Sequence, residues 1–149
     1  MNWNTFKQTF GTDTSTNFDL IRWAKYLRIK PFYYAMRDEI KDLPQYGYFI
    51  TNIHTSKERG VHHSAIYSHR DATGDSANDR VYFFDSYALP PTLEIIEKFN
   101  HTNNRICGDS DEEKQDIFKD QKYCGQMALY FLYQISKGVT YDEILKDLK

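Results

Sequence analysis

Apolar positions recur with helical spacing at Phe18, Leu20, Ile21, Ala24 and Leu27. They predict a first helix, capped by Asn17 and ended by the approach of Pro31. The run FYYAMRDEI over residues 32–40 has no decisive period and suits helix or strand alike. YGYFITNI over 46–53 has the aromatic and β-branched content of a buried strand. HHSAIYSH over 62–69 and RVYFFDSY over 80–87 read as further strands, and RDATGDSAND between them as an exposed hairpin loop. At least three strands are therefore expected in the core.

Pro90 and Pro91 stop the last of these strands, and TLEIIEKF after them has helical spacing with proline just ahead of the first turn. HTNNRICGDSDEEKQDIFKD over 101–120 is polar, charged and aperiodic, which reads as a long surface excursion. CGQMALYFLYQISKG over 124–138 is apolar nearly all round the helical axis, so it predicts a buried central helix closed by Gly138. Thr140 and Glu143 form a capping-box pattern that opens a short terminal helix through Ile144 and Leu148. No repeat or low-complexity tract interrupts this order, and 149 residues suit one α+β domain over 1–149.

The mean hydropathy of −0.71 is low for a packed protein. However, 12 Tyr, 10 Phe and 2 Trp supply large apolar surface that such an index underrates. With 19 Lys and Arg against 21 Asp and Glu, the net charge of −2 provides no global field for nucleic acid or an anionic membrane. Arg22, Lys25, Arg28 and Lys30 form a local basic run that reads as a solvated helix face. The N-terminal MNWNTFKQTF lacks the basic and apolar regions of a signal peptide, and no window is long enough to span a bilayer, so an intracellular protein is expected.

Two cysteines, Cys107 and Cys124, are expected as thiols in such a compartment. Cys124 opens the buried helix, where unpaired backbone N–H groups and the helix dipole favour a thiolate, although a cysteine there also serves as a small core residue. The same N–H groups, with Gly125 permitting close approach, suit the oxyanion formed when a thiolate attacks a carbonyl. His62 starts a strand and has the proton affinity a thiol's base needs. Alternation along a strand turns His63 to the opposite face, so only one of the pair is expected to face the cysteine; His54, His69 and His101 sit in polar surroundings. Asp85 ends the apolar run Val81-Tyr82-Phe83-Phe84, where a buried carboxylate needs a partner such as an imidazole N–H. Asp-Ser also favours a plain turn. No CxxC, HxxxH or HExxH pattern is present, which argues against a metal, and no phosphate-cradling glycine loop is present, so no cofactor is expected.

Taken in order, Gly60-Val61-His62, Tyr82-Phe83-Phe84-Asp85-Ser86 and Tyr123-Cys124-Gly125 resemble the GxHW, FDS and CG pattern of the adenain family, the adenovirus-type maturation proteases. Ala35-Met36-Arg37-Asp38-Glu39-Ile40, Leu89-Pro90-Pro91 and the CGQ start of the helix look closest to the proteases of virophages and Polinton-type elements. The resemblance covers roughly residues 18–137. His63 stands where the family commonly has Trp, and Tyr87-Ala88 where Phe-Gly or a similar pair is common.

The resemblance implies a papain-like α+β core shared with the SUMO proteases, with a mixed sheet packed on the cysteine-bearing helix. It implies His62 as base, Asp85 as orienting carboxylate and Cys124 as nucleophile. The oxyanion hole would be completed by Gln115, with Gln121 as the alternative, and by backbone at Cys124 and Gly125. The implied activity is cysteine endopeptidase action on virion and capsid precursor polypeptides, in the virion and the host-cell cytoplasm, with cuts after small residues such as glycine. Relatives are stimulated by a capsid-derived peptide and by DNA, but no residue here points to either. A protease that deconjugates ubiquitin-like proteins, or an inactive capsid-binding module of the same fold, would carry the same pattern.

Overall fold

Short polar caps and aromatic faces set the helical layer. The computed structural model describes residues 1–57, 62–75, 78–99 and 123–148, together with the backbone of 106–108. Helix α1, Trp3–Phe10, is an element the apolar spacing did not predict: Asn2 accepts from the Thr5 N–H, and Trp3 and Phe6 are buried. Helix α2, Asn17–Tyr26, is capped by Thr16 rather than Asn17, because Asp19 returns the bond to the Thr16 N–H and completes a capping box. It ends well before Pro31, as the chain turns at Arg28 with φ 59°. Only Leu20, Ala24 and Leu27 of its apolar positions are buried; Phe18 and Ile21 face outward.

The ambiguous segment splits into strand β1, Phe32–Met36, and a 3-10 turn, Arg37–Asp42. Glu39 folds back to accept from the Met36 N–H, which starts the turn. Strands β2, Gly47–Asn52, β3, His63–His69, and β4, Arg80–Asp85, follow as expected. The β3–β4 hairpin pairs Ser64 with Asp85 at one end and His69 with Arg80 at the other. Helix α3 is Leu93–Phe99, β5 is Ile106–Gly108, α4 is Cys124–Ser136 and α5 is Tyr141–Asp147. Gly138, at φ 83°, takes the left-handed position just past α4 that a side chain would strain.

The sheet has five strands in the order β1-β2-β3-β4-β5. The central pairs are antiparallel, while β1 joins β2 and β5 joins β4 in parallel. Strand β5 corrects the reading of 101–120 as surface excursion throughout: three of its residues extend the sheet.

Alternation along the strands sends neighbouring residues to two cores. Ile50, Ala65 and Phe84 face α1, α2, α4 and α5, whereas Phe49, Ile66 and Phe83 face α3 and the 3-10 turn. Residues Cys124 to Leu132 of α4 are all buried, with Phe131 stacked on Phe84 at 5.2 Å. A helix apolar all round can be buried all round, and here it lies between the sheet and the outer helices. Its N-terminus is thereby held against the ends of β3 and β4. Among the described residues no helix is long and apolar enough to cross a membrane.

Candidate active site

Asp85, at the end of β4, is 1% exposed and saturated with donors. Its Oδ1 accepts from the backbone N–H of Tyr87 at 2.8 Å and of Leu89 at 3.4 Å. Its Oδ2 accepts from Ser64 Oγ at 2.7 Å and meets His62 Nε2 at 2.8 Å. The turn that supplies the backbone donors passes through Ala88 at φ 58° and is tied by the Ala88 N–H to the Asp85 carbonyl. Tyr87 then lays its ring flat on His62, with centroids 4.5 Å apart. The imidazole is gripped by a carboxylate at one nitrogen and by an aromatic face.

His62 Nδ1 is buried and makes no hydrogen bond among the described residues, so this nitrogen is the one left for the thiol. Burial pushes the His62 pKa down, but Asp85 and Cys124 together outweigh it and carry it up to about 9. Burial likewise pushes the Cys124 thiol up, and His62 with His63 brings it down to about 6. Between those values the favoured state is a thiolate beside an imidazolium. Cys124 is the first residue of α4, and the first N–H to find an intrahelical acceptor is that of Met127, on the Tyr123 carbonyl. The helix N-terminus therefore adds its partial positive charge where the sulfur sits.

Both histidines act on Cys124, which corrects the expectation that only one would. His63 lies in β3 on the face shared with Ala65 and α4, and its Nδ1 is 3.8 Å from Cys124 Sγ. His62 precedes the strand, so strand alternation does not govern it, and it too lowers the thiol's pKa. Gly125 is required beside this pair: a Cβ there would collide with the Ser15 hydroxyl and come within 3.3 Å of His63 Nδ1. Gln126, the third residue of α4, is not directed at the thiol but donates through Nε2 to the Asp13 carbonyl at 2.7 Å, tying residues 11–16 to the helix.

Gln115, Gln121, His101 and the Arg59-Gly60-Val61 approach to His62 lie outside the described residues, as does the Cys107 side chain. His69 pairs with the Tyr67 hydroxyl, and the His54 backbone N–H donates to Asn52 Oδ1. Ser64, Tyr34 and Asn52 belong to the site's surroundings yet escaped the sequence reading, because only the strand register places them there. Two open cavities, of about 510 Å³ and 530 Å³, lie away from Cys124. The second is rimmed by Lys25, Arg28 and Lys30 over Ile21, Ile29 and Phe32, so the basic run borders an apolar floor as well as solvent.

No family model matches the chain, and no curated protein sequence matches it. Among solved structures, it is similar to a crystal structure of the pS273R protease of ASFV, at 15% identity and a TM-score of 0.53. The match covers 91% of this chain and 64% of that one, so this chain spans under two thirds of that protease's length. The shared feature is the α+β fold, which in this chain is a mixed five-stranded sheet packed against a buried helix that begins at Cys124.

Proposed function

We propose that this chain is a cysteine endopeptidase that processes virion precursor polypeptides during maturation. The observation that carries the reading is the Cys124 thiol, at the start of a buried helix and with its pKa brought down to about 6 by His62 and His63, with His62 itself held by Asp85. In this mechanism the Cys124 thiolate attacks the scissile carbonyl, forming the S–C bond. His62 gives its proton to the departing amine as the C–N bond breaks. Water then attacks the thioester; His62 takes its proton, the S–C bond breaks, and the carboxylic acid leaves. Asp85 fixes the His62 tautomer and balances its charge throughout. The α4 N–H groups and the side chain of Gln115 or Gln121 would stabilise the oxyanion.

The viral setting rests on the ordered motifs around His62, Asp85 and Cys124, and on a fold neighbour that is itself a viral protease. The test uses fluorogenic peptides with glycine before the scissile bond, alongside conjugates of ubiquitin-like proteins. Hydrolysis of the peptides that is abolished in Cys124→Ser and His62→Ala supports the proposal. Turnover confined to the conjugates would move the activity to deconjugation, and a folded protein inert on both would overturn it.

A further inference from the structure

Two imidazoles flank Cys124, and the mechanism above uses one. His63 is 5% exposed, with Nδ1 at 3.8 Å from the sulfur and Nε2 at 2.9 Å from the Tyr34 hydroxyl. Asn52, which pairs directly with His63 across β2 and β3, donates through Nδ2 to the same hydroxyl at 3.4 Å. The Tyr34 oxygen is thus already an acceptor, which leaves its own proton to donate. The Met36 sulfur, at 3.8 Å, is the weaker acceptor, and His63 Nε2 the stronger. An Nε2 that accepts must carry its proton on Nδ1, and that N–H points at the sulfur.

We infer that His63 is a further catalytic residue: locked by Tyr34 with its proton on Nδ1, it donates to the Cys124 sulfur and holds the thiolate. The inference rests on the protease reading and divides its labour. His62, backed by a carboxylate, exchanges protons. His63, backed by a hydroxyl, donates a hydrogen bond and keeps its proton. A fixed donor stabilises the sulfur anion before it attacks the carbonyl, and again when the S–C bond of the thioester breaks and the anion returns. The titratable groups touching the His63 ring are Tyr34 from β1 and Cys124 from α4, and the carboxylate acting on Tyr34 is Glu39 of the 3-10 turn.

The test titrates the thiolate absorbance of Cys124 in the full chain, with Cys107→Ser to remove the second thiol. It compares His63→Phe, His63→Gln, Tyr34→Phe and His62→Ala. A hydrogen bond to a charged group is strong enough that losing it in His63→Phe raises the thiol pKa by about one unit. Glutamine can present an N–H, so His63→Gln restores most of the shift, and Tyr34→Phe, which frees the tautomer, falls between. Packing alone would not distinguish glutamine from phenylalanine in this order. If His62→Ala moves the pKa and neither His63→Phe nor Tyr34→Phe does, the second donor is refuted while the dyad stands. If none of the variants moves it, both readings fall. Tyr34→Phe removes a single oxygen, so the test survives even if the His63 variants do not fold.

Discussion

Replacing Asp85 by Asn should invert the tautomer of His62, and the surrounding donors dictate why. Two backbone N–H groups, of Tyr87 and Leu89, point at Oδ1. The amide oxygen must take that position, and the amide nitrogen must face Ser64 Oγ and His62 Nε2. Nε2 then has to accept, its proton moves to Nδ1, and the nitrogen facing the thiol can no longer take a proton from it. The Asp85 charge, which together with Cys124 lifts His62 from 6.5 to about 9, is lost as well, at about 1.4 kcal/mol for each unit of the rise that it supplied. With Cys124 at about 6 the thiol is mostly ionised at neutral pH. If the His62 part of the lowering is lost while His63 keeps about one unit of it, the thiol rises to about 7.5 and its thiolate fraction at pH 7 drops about 4-fold. Alkylation of Cys124 at pH 7 should slow by about that factor in the Cys107→Ser background, and peptide hydrolysis by about 10³–10⁴-fold, since the wrong tautomer removes the base. Nitrogen NMR of the imidazole reports the tautomer directly. An Asp85→Asn protein that keeps the Nε2–H tautomer, or that alkylates at the original rate, would refute the reasoning.

Two further outcomes follow from the same geometry. His62 is raised, so its stabilisation is full below pH 6.5 and is lost as pH rises through about 9; Cys124 is lowered, so its own is full above 9.0 and is lost as pH falls through about 6. Between pH 6.5 and 9.0 the two proton differences oppose each other and the pair contributes little slope, whereas Cys124→Ser leaves the part of the His62 rise that Asp85 supplies and should make stability fall with pH from 6.5 upward, over a narrower window than the full rise to about 9 would give. Urea unfolding of both proteins at three pH values checks this; parallel curves would contradict it. Gly125→Ala should destabilise the protein by about 1–3 kcal/mol through its clash with Ser15 and His63, with partial recovery in the double variant with Ser15→Ala. An unchanged melting temperature for the single variant would show that the helix entry has room to spare.

The α4 helix and the β3–β4 hairpin were readable from sequence because each is dictated locally. An apolar run wrapped all round an axis has no alternative to burial, and RDATGDSAND can only be a connection. Helix α1 was not, because eight residues carrying two buried aromatics give too little period to detect; tertiary contact holds it, including the Trp3 N–H on Asp147. Strand β5 is three residues within a polar stretch and exists by pairing with β4. The positions of His62, Asp85 and Cys124 could be proposed from their places at element ends. What could not be read was the shell around them. Ser64 faces Asp85 and Asn52 faces His63 only through strand register, and Tyr34 comes from a strand whose periodicity was undecided. The alternation rule also misjudged the histidine pair, since it applies to His63 inside β3 and not to His62 just ahead of it.

The central claim is that Cys124 is a nucleophile activated by His62. Its most direct test is the rate of alkylation of Cys124 by a small electrophile from pH 5 to 10, in Cys107→Ser protein with and without His62→Ala. The account predicts a rate that rises with a midpoint at about 6 in the intact pair and moves up toward the ordinary thiol range of about 8.5 when His62 is removed. A midpoint in the ordinary range that ignores His62 would contradict it.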